Sequence, residues 1–303
     1  MKSMNNRECS WYRKSLKGSN QYCLYCGRYI GEGSGIESNK EHLIAREFVP
    51  KGTYSEHDFN FTFRACTEHN NEKSKYERHV SSITMLDSIG PETEEEIRNM
   101  AIHKANNDYH PSKKGIKIAD SQEKLDIKWG GENFSISFSF IAPPQLDEVY
   151  VKYLAFMQMQ GFFALISSPQ PYNGAKLMLL SGQYFQFLGA WRRSDWGNVI
   201  LGHLARLVAD WKCYANIDSG RSYYRAIIKI DPLSKIWFWA FEWNKSYRVA
   251  GFVGDIETTQ EFVKNIPVEE WAILEQENGR IIRTKNELTL SSKDDGLFQG
   301  DVE

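Results

Sequence analysis

Apolar side chains fall at alternate positions at Phe59, Phe61 and Phe63, with Asn60, Thr62 and Arg64 between them. That period of two predicts a half-buried strand. Just downstream, Tyr76, Val80 and Ile83 stand at i, i+4 and i+7, one face of a helix expected to begin close to Asn70. Upstream, residues 39–44 are expected to close a first strand, and the turn-rich residues 50–58 separate it from the second. After Pro91, the acids Glu92, Glu94, Glu95 and Glu96 crowd the first turn of another helix, where the dipole favours them. Residues 106–114 read as a loop.

Residues 125–129 and 134–140 read as two strands of a hairpin about Gly130-Gly131-Glu132-Asn133, and Pro143-Pro144 marks a domain boundary. Beyond it, residues 147–167 are apolar enough for a well-buried helix, while 177–188 and 190–196 fit either period. Residues 198–211 read as a helix with Leu201, Leu204, Ala205 and Val208 on one side. Residues 223–230, 235–243 and 247–253 are three strands rich in aromatic and β-branched side chains. A short helix is expected within 261–275, and a loose polar tail from Ser291. There is no internal repeat. The pattern predicts an α+β chain in three parts: a small N-terminal unit over 1–90, a helix-and-hairpin connection over 91–144, and a mixed α+β domain over 145–303.

Composition narrows the class. A chain of 303 residues, 41% hydrophobic and 25% charged, is that of an ordinary folded protein with room for more than one core. No apolar run reaches membrane-span length and the N-terminus is polar, so the expected address is the cytoplasm, with no membrane partner. The net charge of −2 hides an asymmetry: the first 80 residues carry 13 Lys and Arg against 10 Asp and Glu. Lys2, Arg7, Arg13, Lys14, Lys17 and Arg28 form a basic arm that could follow phosphates, although a solvated terminus explains it as well.

The cysteines change the picture most. Cys23-x2-Cys26 and Cys66-x2-His69 are two close pairs of soft ligands about forty residues apart, and Cys3His is a donor set suited to tetrahedral Zn²⁺. His57 is a competing ligand without a partner at that spacing. Cys9 and Cys213 are left as packing residues rather than disulfide partners. The glycines of residues 31–35 lack the strand–loop–helix context of a phosphate cradle.

Between the ligand pairs lie Glu41 and His42. Phosphodiester hydrolysis needs an activated water, relief of phosphate charge and a stabilised leaving oxygen. An imidazole with a pKa near ~6.5 suits the first task at neutral pH. A hard ion such as Mg²⁺ suits the others and wants oxygen ligands, which Glu41 and Asn70 could offer. Adjacent strand residues face opposite ways, so joint service by Glu41 and His42 requires a bend or a strand end.

Taken together, Cys23, Cys26, Glu41, His42, Asn60, Cys66, His69, Asn70 and Lys73 resemble the motif of HNH endonucleases. The resemblance covers about fifty residues. It implies a zinc-stabilised ββα-metal module with His42 as general base and Asn60 bracing the loop that carries it. It also implies Glu41 and Asn70 holding a catalytic Mg²⁺ or another divalent metal. Three positions depart from the family: Glu41 replaces the commoner Asp, Ala45 stands where proline is frequent, and His69 replaces a zinc-binding cysteine. The expected substrate is DNA, double-stranded before single-stranded, with RNA an alternative. Family habit adds expected roles in phage defence, restriction or mobile elements. The rival class is a noncatalytic zinc module that binds nucleic acid or protein. Arg46, Arg64 and Lys73 are candidate phosphate contacts, although such a residue is more often just a solvated charge. Asn71 is a substitute for Asn70, and His79 is expected at the surface, with His103, His110 and His203 ordinary. Trp191, Arg192, Arg193 and Trp196 could grip a single strand, but packing explains them better. The C-terminal domain would recognise substrate, restrain the nuclease or bind a protein partner, and the aromatic face of Trp237, Trp239, Phe241 and Trp243 reads as core or interface.

Overall fold

A computed structural model describes residues 20–50, 53, 61–131, 134–167, 176, 178–277 and 280–301. The expectations for the basic arm before residue 20, for Cys9, His57 and Asn60, and for most of the turn over 50–58 lie outside the described residues.

The chain is mixed α+β. Strands β1 (Ser38–His42) and β2 (Thr62–Cys66) pair antiparallel with His42 opposite Thr62, and helix α1 (Thr67–Asp87) follows β2 without a break. The helix starts three residues before Asn70. Tyr76, Val80 and Ile83 are buried as the spacing predicts, but so are Lys73, Glu77, His79, Ser81, Ser82 and Thr84. The helix is thus covered on more than its apolar stripe, and its polar residues must find partners inside. His79, expected at the surface, is one of them.

Helix α2 (Glu95–Asn107) opens with the predicted acids and runs slightly into the expected loop. Strands β3 (Glu123–Gly131) and β4 (Phe134–Ala142) form the expected hairpin. On it Phe138 and Phe140 stack on each other, both about half exposed.

Helix α3 (Glu148–Ser167) has the length and hydropathy of a membrane span, contrary to the reading that no segment does, yet 67% of its most apolar window is buried inside the protein. It crosses the N-terminal unit at Gly161. A Cβ there would lie 2.2 Å from Leu43 Cδ1 and 3.5 Å from Leu24 Cδ2, so the missing side chain is what lets the three segments close up.

The rest is a five-stranded antiparallel sheet in the order β5-β9-β8-β7-β6. Its strands are β5 (Tyr184–Arg192), β6 (Lys212–Ser219), β7 (Tyr224–Ile230), β8 (Trp237–Trp243) and β9 (Tyr247–Gly254). Three of them were predicted. The short helix falls earlier than expected, as α5 (Ile256–Lys264). Residues 272–275, assigned to its end, lie instead in β10 (Ala272–Glu277), which forms a hairpin with β11 (Arg280–Thr284).

Both faces of the sheet are covered. One packs on the N-terminal unit and α3, so that Phe48, Phe63, Leu154 and Phe162 share a core with Trp239, Phe241 and Trp243. The other carries α4 (Val199–Leu207) together with Leu297 and Phe298 of the tail. Residues 143–144 therefore do not separate two cores, and the tail is docked rather than loose. Double coverage is why β8 and β9 are buried nearly throughout instead of alternating. Arg248 of β9 is wholly buried. It bonds Glu242 and Asp295 and lies 3.8 Å from the Trp196 ring, so the Trp191–Trp196 cluster is packing of the expected kind.

Candidate metal centre

The Cys23-x2-Cys26 turn is closed by hydrogen bonds from the Gly27 amide to the Cys23 carbonyl (3.0 Å) and from the Cys23 amide to the Arg28 carbonyl (2.8 Å). Gly27 takes a φ of 67°, which a side chain would strain. The second ligand pair sits where β2 passes into α1: Cys66 is the last strand residue and the N-cap, and His69 lies in the first turn. The two pairs converge. Cys23 Sγ is 3.6 Å from Cys66 Sγ, Cys26 Sγ is 3.9 Å from it, and His69 Nδ1 is 3.0 Å from it. All four ligand atoms lie within 4.8 Å of one another. A tetrahedron with Zn–S bonds of ~2.3 Å has sulfur–sulfur edges of roughly 3.7 Å, so the thiol spacings match that shell. The donor set suits zinc in chemistry, and its thiol spacings suit it in size.

Its surroundings suit thiolates. The amides of Tyr25 and Cys66 both donate to Cys23 Sγ at 3.4 Å. The Arg28 guanidinium donates to Cys26 Sγ (3.2 Å) and Cys66 Sγ (3.5 Å) while pairing with Glu68 at 2.5 Å. Such outer partners orient ligands and offset their charge. Burial pushes the Cys23 thiol up to about 12, whereas at Cys26 burial is outweighed by the Arg28 donors and the thiol is lowered. In the sequence Arg28 counted only as a member of the basic arm, not as a partner of the cysteines. Its place two residues past Cys26 was the available signal.

The oxygen ligands expected beside this centre are arranged differently. His42 is the last residue of β1, which supplies the expected strand end, and Asn70 lies in the first turn of α1. Asn70 Nδ2 donates to Asn39 Oδ1 (2.5 Å) and the Lys40 carbonyl (3.3 Å), tying the helix start to the strand. Glu41, by contrast, is turned into the protein and only 3% exposed. One oxygen, Oε1, accepts from the Tyr25 hydroxyl (2.6 Å) and from Lys73 Nζ (2.5 Å). The carboxylate that the resemblance implies as a metal ligand is thus engaged inside the protein, with both donors on one oxygen.

Lys73 itself requires correction. It is wholly buried and touches no surface from which it could reach a phosphate. Its ammonium also donates to Glu77 and to the His42 carbonyl (3.2 Å). Burial pushes the Glu77 carboxyl up to about 7, helped by the charge of Glu41 and opposed by Lys73. Arg64 is likewise engaged internally, donating to the Ile30 carbonyl (3.0 Å) and Ser38 Oγ (2.5 Å). Arg46, in a short 3-10 turn after β1, stays exposed. Tyr25 and Glu77 were missed by the sequence reading, although Glu77 follows Lys73 by one helical turn.

No family profile, no curated protein and no solved structure matches this chain.

Proposed function

We propose that this chain is a metal-dependent endonuclease of the HNH type, hydrolysing phosphodiesters of DNA, double-stranded before single-stranded. The observation that carries the reading is the placement of two chemical groups by the Cys3His centre. That centre pins the β2–α1 junction, and Asn70 of the adjoining turn bonds back to the strand that ends in His42. In this reading Cys23, Cys26, Cys66 and His69 hold zinc as a structural staple, and His42 takes the proton from the attacking water. A divalent ion, when bound, supplies relief of phosphate charge. Arg46, exposed in the short turn after β1, is the candidate contact to the nucleic-acid backbone. Glu41 is left out of the ion's shell.

A second reading is a noncatalytic zinc module that binds nucleic acid or protein. It is favoured by the same Glu41, because the bonds to Lys73 and Tyr25 account for two motif residues without any chemistry. The two readings separate on supercoiled plasmid, single-stranded DNA and RNA with Mg²⁺ or Mn²⁺, comparing wild type with His42→Ala at equal zinc content. Cleavage lost in the variant, by about a hundredfold or more, supports the nuclease. Equal cleavage in both, or none in either, supports the second reading.

A further inference from the structure

We propose that Lys73 is a positioning residue for His42 and that Glu41 serves as its counter-ion, not as a metal ligand. The proposal rests on the nuclease reading only for what His42 does, not for how it is held. An ammonium has three donors and no acceptor. In a site closed to water, Lys73 finds three acceptors: Glu41 Oε1 at 2.5 Å, Glu77 Oε1, and the backbone carbonyl of His42 at 3.2 Å. The first two offset its charge. The third fixes the peptide on which the imidazole is mounted to the second turn of α1.

The network also reaches the metal centre. Tyr25 stands between Cys23 and Cys26; its amide donates to Cys23 Sγ at 3.4 Å and its hydroxyl to Glu41 at 2.6 Å. One chain of contacts thus runs from the zinc knuckle through Tyr25, Glu41 and Lys73 to the end of β1. A hard cation recruited to Glu41 would compete with the buried ammonium for the charge of the carboxylate whose Oε1 holds both donors. Breaking that buried pair is expensive. Keeping Glu41 where it is holds the strand end in register with the helix. A Gln at position 41 could accept the same two bonds; a Met at position 73 could make none of the three.

The test uses the full chain loaded with zinc and the variants Glu41→Gln, Lys73→Met and, as a control on the exposed side of β1, Lys40→Gln. Mn²⁺ binding followed by electron paramagnetic resonance reports the ligand role: wild type and Glu41→Gln are expected to agree within about threefold, while a loss of about tenfold or more overturns the proposal. Long-range ¹H–¹⁵N spectra of the histidine rings, with His42 assigned by its absence in His42→Ala, report the positioning role. The His42 signals are expected to move or broaden in Lys73→Met and stay put in Lys40→Gln. An unmoved His42 in Lys73→Met overturns the proposal. On plasmid, Lys73→Met is expected to lower kcat by roughly 10–100-fold at unchanged KM. Should Lys73→Met fail to retain zinc, Lys73→Gln, which keeps a donor toward Glu41, is read in its place. A wild type that neither cuts nor binds Mn²⁺ sinks the nuclease reading, and the histidine spectra then decide the proposal alone.

Discussion

Buried histidines reveal which proton each residue can do without. His79 Nε2 accepts from the Asp147 amide at 2.8 Å, so the neutral ring is built into the start of α3, and the His110 ring lies 5.1 Å away. Burial, with His110 adding to it, pushes His79 down to about 4. A base whose folded pKa lies below its unfolded value of ~6.5 gives its full stabilisation above that value and loses it as pH falls toward the folded pKa. Between pH 7 and pH 4 this one group should therefore cost the folded state on the order of 3 kcal/mol. In His79→Leu that acid sensitivity should be missing, while at pH 7 the variant should be weaker by about 1–3 kcal/mol for the unpaired Asp147 amide. Urea unfolding of both proteins at pH 7 and pH 5 measures the difference. Residue identity also marks where the sequence misled. Lys73, Glu77 and Lys229 carry the code of a solvated face, yet each is buried because a partner waits for it: two carboxylates and a carbonyl for the first, the carbonyl of Val208 at the end of α4 for the last. A one-dimensional pattern holds no record of such partners.

At the scale of elements, the paired ligands were legible because zinc imposes short spacing within each pair, and the aromatic strands β7 to β9 because their composition allows little else. Strand β6 was missed: Lys212–Ser219 is the edge strand, and its exposed Lys212 and Asp218 and half-buried Asn216 interrupt the apolar signal. The start of β10 was read as the end of a helix, since its alternation is broken by an irregular register between Ile273 and Glu275. The strand–strand–helix unit should depend on a metal held by Cys23, Cys26, Cys66 and His69 more than the sheet does. Its knuckle meets β2 and α1 at the four ligands and is tied further by the Tyr25–Glu41 and Arg64–Ile30 hydrogen bonds, while the sheet has apolar cover on both faces. Stripping zinc with a strong chelator should therefore raise hydrogen exchange by about tenfold or more over residues 22–30 and 62–72 and leave β7 to β9 protected. Mass spectrometry of exchanged peptides distinguishes this from uniform loosening. Arg28→Ala should speed zinc release roughly tenfold, read with a chromophoric chelator, because two thiolates lose a donor.

For the molecule as a whole, the docked tail was hidden by its company. Leu297 and Phe298 are two apolar residues in a polar stretch, and only the sheet face that receives them explains their burial. Ending the chain at residue 290 removes both, together with Asp295, one of the two carboxylates on buried Arg248. The loss should be roughly 3–6 kcal/mol, seen as a lower Tm and an unchanged urea-independent zinc content. The shared core carries a further implication. Because Gly161 of α3 presses against Leu43, the neighbour of His42, and against Leu24, between the first two zinc ligands, a single methyl group introduced there would act as a remote control on both. Gly161→Ala should yield a thermosensitive protein: weakened by about 1–3 kcal/mol from overpacking, and quicker to surrender its ion on warming, although the altered residue belongs to neither motif.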